Sequence, residues 1–158
     1  MIISDATILI TLINIDRFDI LEKFADKIYI TNAVYKEVCQ KVYAKKFIDS
    51  LIKKGFLEIK NYKNIKLFNE FRFILDEGES SSIVLALEQN LPLIIDEKKG
   101  RRFAKSKGVL IVGLIGIIKY LYSINTLNKE EVIDIIELLN KSNFRVSKKL
   151  LSLILEAK

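Results

Sequence analysis

The stretch from Leu75 to Glu88, LDEGESSSIVLALE, crowds acids against a glycine just ahead of a strongly apolar run with helical spacing. Two roles suit such acids. Side-chain oxygens at a helix start accept hydrogen bonds from its unpaired amides and sit well at the positive end of its dipole. The alternative is that they hold a cation. Glu79 is the acid that begins the helix here, and three others occupy comparable junctions. Asp5 follows the apolar run Met1 to Ser4, Asp96 follows Leu91 to Ile95, and Glu37 lies one turn into a helical segment after Lys27 to Ile30. Like charges brought together raise one another's pKa values unless a cation compensates them. Hard oxygen donors with no imidazole or thiolate among them point to Mg²⁺ or Mn²⁺.

The elements that must position these acids follow from apolar periodicity. Short strands are expected at Met1 to Ser4, Lys27 to Ile30, Phe56 to Ile59, Leu91 to Ile95 and Val109 to Val112. Helices are expected at Ala6 to Ile15, at Ala33 to Phe47 and on to Lys54, at Leu67 to Ile74, Glu79 to Gln89 and Glu97 to Lys107, and from near Gly113. Thr31 and Asn32 are good helix N-caps, Gly55 is a C-cap candidate, Asn128 with Glu131 makes a capping box for Val132 to Leu139, and Ser147 caps Lys148 to Glu156. Strands alternating with helices at this spacing predict a parallel sheet covered on both faces. In such a sheet every strand ends at one edge, where ligands bind. Asp5, Glu37, Glu79 and Asp96 therefore converge there, with helix capping as the competing explanation for Asp5, Glu79 and Asp96 taken singly and a solvated helix position for Glu37.

Composition narrows the chemistry. The 158 residues contain no histidine, which excludes imidazole-based triads and His-Glu-x-x-His zinc sites. Hydrolysis would have to rest on carboxylates, lysines or a bound metal. Half the residues are hydrophobic and 29% are charged, the balance of a folded domain, and the net charge of +6 suits a polyanionic partner or plain solubility. The single cysteine, Cys39, allows no internal disulfide and fits a reducing cytoplasm. The apolar run Val109 to Ile118, interrupted by Gly113 and Gly116, falls short of the roughly 20 residues a membrane span needs. No signal peptide is expected at MIISDATILI. Gly78-Glu-Ser-Ser-Ser82 lacks the last glycine of a nucleophile elbow, and Gly113-Leu-Ile-Gly116 is no dinucleotide fingerprint. Lys98-Lys-Gly-Arg-Arg102 places four cations directly after the Asp96 junction, where Lys98, Lys99, Arg101 and Arg102 could hold a nucleic-acid backbone or simply face solvent. Tyr29, Tyr35 and Tyr43 could stack on bases, with core packing as the plainer role.

Taken together, SDATILITL around Asp5, AVYKEV around Glu37, DEGESSSIVLALE around Glu79, LIIDEKKGRRFAKSKG around Asp96, VGLIGII and NFRVSKKLL resemble, in order and spacing, a PIN domain of the VapC-like branch. The resemblance spans nearly the whole chain. It implies a single PIN-like domain over residues 1–158, a three-layer α/β/α sandwich on a mostly parallel sheet of about five strands, with a C-terminal helical extension from about residue 127. It further implies a Mg²⁺- or Mn²⁺-dependent ribonuclease with Asp5, Glu37, Glu79 and Asp96 as its acids, and the toxin of a toxin–antitoxin pair. A homodimer and a blocking antitoxin are the implied partners. Glu97 stands where some members carry a second aspartate, and Asp76 and Glu77 are acids with no assigned ligand role. One or two metal ions would activate a water for in-line attack on a phosphodiester, with Asp5 and Asp96 as direct ligands and Glu37 and Glu79 binding the metal through water or orienting the attacking water. The rival is a PIN-like module that binds RNA or protein without cutting.

Overall fold

The computed structural model describes residues 1–157. Five short strands, β1 (Ile2–Ser4), β2 (Ile28–Ile30), β3 (Leu57–Ile59), β4 (Leu93–Ile94) and β5 (Ile111–Val112), form one sheet in the order β3-β2-β1-β4-β5, every pair parallel. The order reverses at β1, so the chain winds outward first to one side and then to the other. That reversal opens a crevice at the carboxyl edge of the central strands.

Alternation along each strand divides the interior into two cores. Ile2, Ile28, Ile30 and Ile94 face a larger cluster with residues of α1 (Ala6–Asn14), α2 (Asp19–Phe24), α3 (Asn32–Val38) and α4 (Val42–Lys53). The same side takes α8 (Leu114–Ser123), α9 (Lys129–Lys141) and α10 (Lys148–Leu155). Ile3, Tyr29, Leu93 and Ile95 face the other way, onto α5 (Ile65–Arg72), α6 (Glu77–Gln89) and α7 (Lys98–Ser106). The result is a three-layer α/β/α sandwich. Burying each large aliphatic side chain contributes roughly 1.5–3 kcal/mol, which these two apolar layers supply many times over.

Several helix caps are those the residue types favour. Thr31 accepts from the Val34 amide, Ser147 from Leu150, and Asn128 with Glu131 closes a full capping box. Gly55 and Gly108 take the positive φ, 79° and 82°, that ends α4 and α7 cleanly. The expected continuous helix from Ala33 through Phe47 is, however, two helices. Val34 and Val38 are buried, but Val42, the next residue in that spacing, is 72% exposed. After the break at Cys39 to Lys41 the buried stripe is re-phased onto Ala44, Ile48 and Leu51. A second departure is α2, a six-residue helix too short to show a clear apolar period, which docks through Ile20 and Leu21.

Helix α6 is buried on nearly all sides from Gly78 to Ala86. Its three serines permit this, because small side chains let the helix press against α3 and the sheet. Ser81 donates to the Gly78 carbonyl at 3.0 Å and shares a 2.7 Å hydrogen bond with Thr31, joining the start of α6 to the start of α3. No described helix is long and apolar enough to cross a membrane.

Candidate active site

Asp5 occupies the N-cap position of α1, directly beyond β1, yet its side chain makes no cap hydrogen bond across the first turn. It is only 4% exposed. A buried carboxylate that does not cap its helix lacks the usual structural reason to be there. Its amide donates to Ile94 O at 3.0 Å, fixing it beside the end of β4.

Around it lies a ring of acids. A Cβ built on Gly78 would stand 3.0 Å from Glu37 Oε2, 3.4 Å from Asp5 Oδ1 and 3.5 Å from Asp76 Oδ1, so three carboxylates from three elements surround this one glycine. The absence of a side chain at residue 78 keeps that space open. Asp76 is the N-cap of α6 and accepts from the Glu79 amide at 2.8 Å, while its own amide donates to Glu79 Oε2 at 3.4 Å. The acids of LDEGES thus form a capping box, one of the two roles their sequence suggests. Glu79 has a second oxygen to spare. Its Oε1 would lie 2.7 Å from a Cβ on Gly100, in a notch that α7 leaves by carrying glycine there, and Glu97 acts on its carboxyl electrostatically.

The electrostatics follow from this crowding. Burial, with further repulsion from Asp76, Glu37 and Glu97, pushes the Asp5 carboxyl up to about 7, despite the opposing Ala6 amide. Burial and the Asp76 and Asp5 charges push Glu79 to about 7 as well. Glu37, exposed at its tip, is raised by partial desolvation and by Asp76. Glu97 is held low, chiefly by the Gly100 amide, which donates to its Oε2 at 2.7 Å. Among the described residues no lysine or arginine forms an ion pair with Asp5, Glu37 or Glu79.

Asp96 points elsewhere. It accepts from the Leu114 amide at 3.1 Å, capping α8, and Arg101 Nη1 lies 3.5 Å from its Oδ1. Burial raises its pKa, and the amide and guanidinium pull it back. Strand parity explains the split. Ile94 faces the larger core and Ile95 the smaller, so the alternation carried one step further sends Asp96 toward α8, and another step sends Glu97 back toward α6. The same count from Ile2 and Ile3 puts Asp5 on the α6 side. Of the four acids expected from sequence, the structure gathers Asp5, Glu37 and Glu79 and turns Asp96 to its own partners. Asp76 and Glu97 join the group instead. Counting residues beyond each strand end is the signal that could have found Glu97.

The basic run divides in the same way. Lys98, Lys99 and Arg102 line a groove of about 570 Å³ with Ile74, Glu97 and Phe103, whereas Arg101 turns to Asp96 on the other side of α7. The tyrosines are engaged away from the acids: Tyr29 is buried, Tyr35 donates to Asp49, and Tyr43 donates to Asn14.

As a donor set the ring fits a hard divalent cation. It offers only carboxylate oxygens, they repel one another, and among the described residues none of Asp5, Glu37 and Glu79 has an ion-pair partner. Among the described residues no three acids already stand in a metal-holding cage, so holding an ion would require their side chains to close together. A family model described as PIN domain matches residues 1–158. A search of curated proteins finds no match to the chain.

Proposed function

The chain belongs to the PIN domain family, whose members are generally nucleases that use divalent metal ions, and from that premise we propose that it is a Mg²⁺- or Mn²⁺-dependent endoribonuclease. The observation that carries this reading is the ring of Asp5, Glu37, Glu79 and Glu97, mutually repelling and without a cationic partner for the three raised acids, at the carboxyl edge of the sheet. Those four side chains would hold the metal. Bound there, a divalent ion supplies an activated water and charge stabilisation for phosphodiester hydrolysis. Gly78 and Gly100, which carry no side chain, keep the space between the acids open. Asp96, tied to Arg101 and to the α8 amide, acts as a positioning residue that fixes β4, α7 and α8 relative to one another. Lys98, Lys99 and Arg102 bind backbone phosphates beside the acids.

The same reading extends to a toxin silenced by an antitoxin that covers the acidic mouth, to a homodimer, and to a cytoplasmic setting. The unpaired thiol of Cys39 is consistent with the last of these.

The test is direct. Purified protein incubated with unstructured and folded RNAs is expected to cut in Mn²⁺ or Mg²⁺, to stop in excess chelator, and to resume when metal is restored. Cleavage that persists in chelator would overturn the metal assignment. Saturable RNA binding with no cleavage in either metal would favour a non-catalytic binding module.

A further inference from the structure

A groove between α1 and the turn joining α9 to α10 serves none of the roles assigned so far. Its volume is about 460 Å³, the size of a small-ligand site. Ile10 and Phe144 supply its apolar part, Thr7, Thr11, Asn14 and Asn143 stand along it, and no charged side chain lines it. Thr7, Thr11 and Asn14 fall at i, i+4 and i+7, which is one stripe of α1. Thr7 comes two residues after Asp5, only about 3 Å farther along the helix axis at 1.5 Å per residue. The groove therefore opens at the edge of the sheet that carries the acids and runs down α1 from there.

The wall opposite α1 is an ordered turn. Asn140 donates from Nδ2 to the Val146 carbonyl at 3.1 Å and accepts the Val146 amide at Oδ1 at 2.7 Å, so both ends of its side-chain amide span the turn. Ser142 donates to Leu139 O at 2.6 Å and accepts from the Phe144 amide at 3.2 Å, and Phe144 packs onto the larger core. Asn143 is thereby held exposed on a fixed backbone. On the α1 side, Asn14 Oδ1 accepts from the Tyr43 hydroxyl, which leaves its N–H donors to the groove. The hydroxyls of Thr7 and Thr11 and the side-chain amide of Asn143 hydrogen-bond to no other described residue.

We propose that this groove receives a nucleobase of the RNA, from a nucleotide beside the phosphate held at the acids, and that Thr11 and Asn143 select which base enters. The uncharged lining offers a phosphate nothing. An apolar surface with neutral donors and acceptors around it matches a base, whose edge sets donor and acceptor side by side for an amide to pair with both. RNA sequence is commonly read in this way, by a packed base face and hydrogen bonds to its edges. The inference rests on the nuclease reading and adds what that reading leaves open: a preference for one base, and the residues that set it.

The test adds adenosine, cytidine, guanosine and uridine, one at a time, to isotope-labelled protein in chelator and follows the NMR signals of the groove. Nucleosides carry no phosphate, so Lys98, Lys99 and Arg102 cannot account for their binding. One of the four is expected to shift the Thr11 signal and the Asn143 side-chain amide saturably, roughly 5-fold or more tightly than the weakest. Thr11→Val, which keeps the shape and loses the hydroxyl, should weaken it by roughly 2- to 12-fold, the effect of one hydrogen bond. Asn143→Ala should flatten the preference among the four. In Mn²⁺, oligoribonucleotides differing in one base should be cut with a preference that Asn143→Ala removes. The proposal is overturned if no nucleoside binds saturably, if all four bind alike, if inorganic phosphate competes for the same signals, or if both variants behave as wild type. Groove signals that move on dilution of the protein and not with nucleoside would assign the groove to a second copy of the chain and also overturn it. Nucleoside binding with the expected pattern in a chain that cuts nothing upholds the base site and overturns only the nuclease.

Discussion

Asp5→Asn is expected to make the metal-free protein more stable at pH 8 while lowering RNA cleavage by about 10³-fold. The two effects have opposite signs because they have one cause. Asp5 is buried among like charges, and its pKa is raised from 3.8 to about 7. Between about pH 4 and pH 7 the folded state keeps a proton that the unfolded chain has released, so stability falls as pH rises through that window and the penalty is complete above it. A shift of this size corresponds to a penalty on the order of 4 kcal/mol. Asparagine removes the charge and keeps the shape. A gain of about 1–3 kcal/mol at pH 8, allowing for the desolvated amide, appears as several degrees in a thermal melt. The gain should vanish below about pH 4, where wild-type Asp5 is protonated in both states. Cleavage is lost because a metal that supplies several kcal/mol of transition-state stabilisation is no longer held, and each 1.36 kcal/mol is tenfold in rate. A destabilised Asp5→Asn protein would show that the carboxylate serves the fold.

The second large effect separates two adjacent acids. Glu97→Gln is expected to cut activity by roughly 10²-fold or more, and Asp96→Asn by far less. Glu97 acts electrostatically on both Asp5 and Glu79, so its charge belongs to the ring. Glutamine preserves a carbonyl oxygen for the Gly100 amide, so the α7 cap survives and the loss reports the charge. Asp96 is spent on Arg101 and the Leu114 amide. An asparagine carbonyl can still accept from Leu114, whereas Asp96→Ala strands both partners and should cost about 1–3 kcal/mol of stability. Rate measurements and melts on the three variants decide the matter. Full activity in Glu97→Gln with total loss in Asp96→Asn would reverse the roles.

Those two residues mark where the sequence stops being legible. All five strands can be read from short apolar runs bounded by Asp5, Thr31 and Asp96, because a strand buried on both faces leaves little else it could be. The caps at Thr31, Asn128 and Ser147 are equally readable, since capping is local chemistry. The break at Cys39 to Lys41 is not. Val34, Val38 and Val42 keep helical spacing straight through it, and only the packing of Ala44, Ile48 and Leu51 shows that the stripe has been re-phased. At the site, an acid just beyond a strand can be placed at the correct edge from sequence. Which side of the sheet it faces depends on a parity that an error of one residue in the strand end inverts. That is why the junction pattern places Asp5, Glu37 and Glu79 at one edge, while only the structure shows Asp96 turned toward Arg101 and α8 and Glu97 turned toward the other acids. The sequence assigns Asp76 no role, and only the structure shows it capping α6 and facing Asp5 and Glu37.

The most direct test of the central claim, that this ring of acids exists to hold a divalent ion, is calorimetric titration of Mn²⁺ into the protein at pH 7 in buffers of different ionisation enthalpy. Asp5 and Glu79, both raised to about 7, still hold part of their protons there. Saturable binding that releases about one proton per ion, with release diminishing toward pH 8.5 and affinity falling below pH 7, is the predicted result. No saturable binding, or binding without proton release at pH 7, would contradict the account.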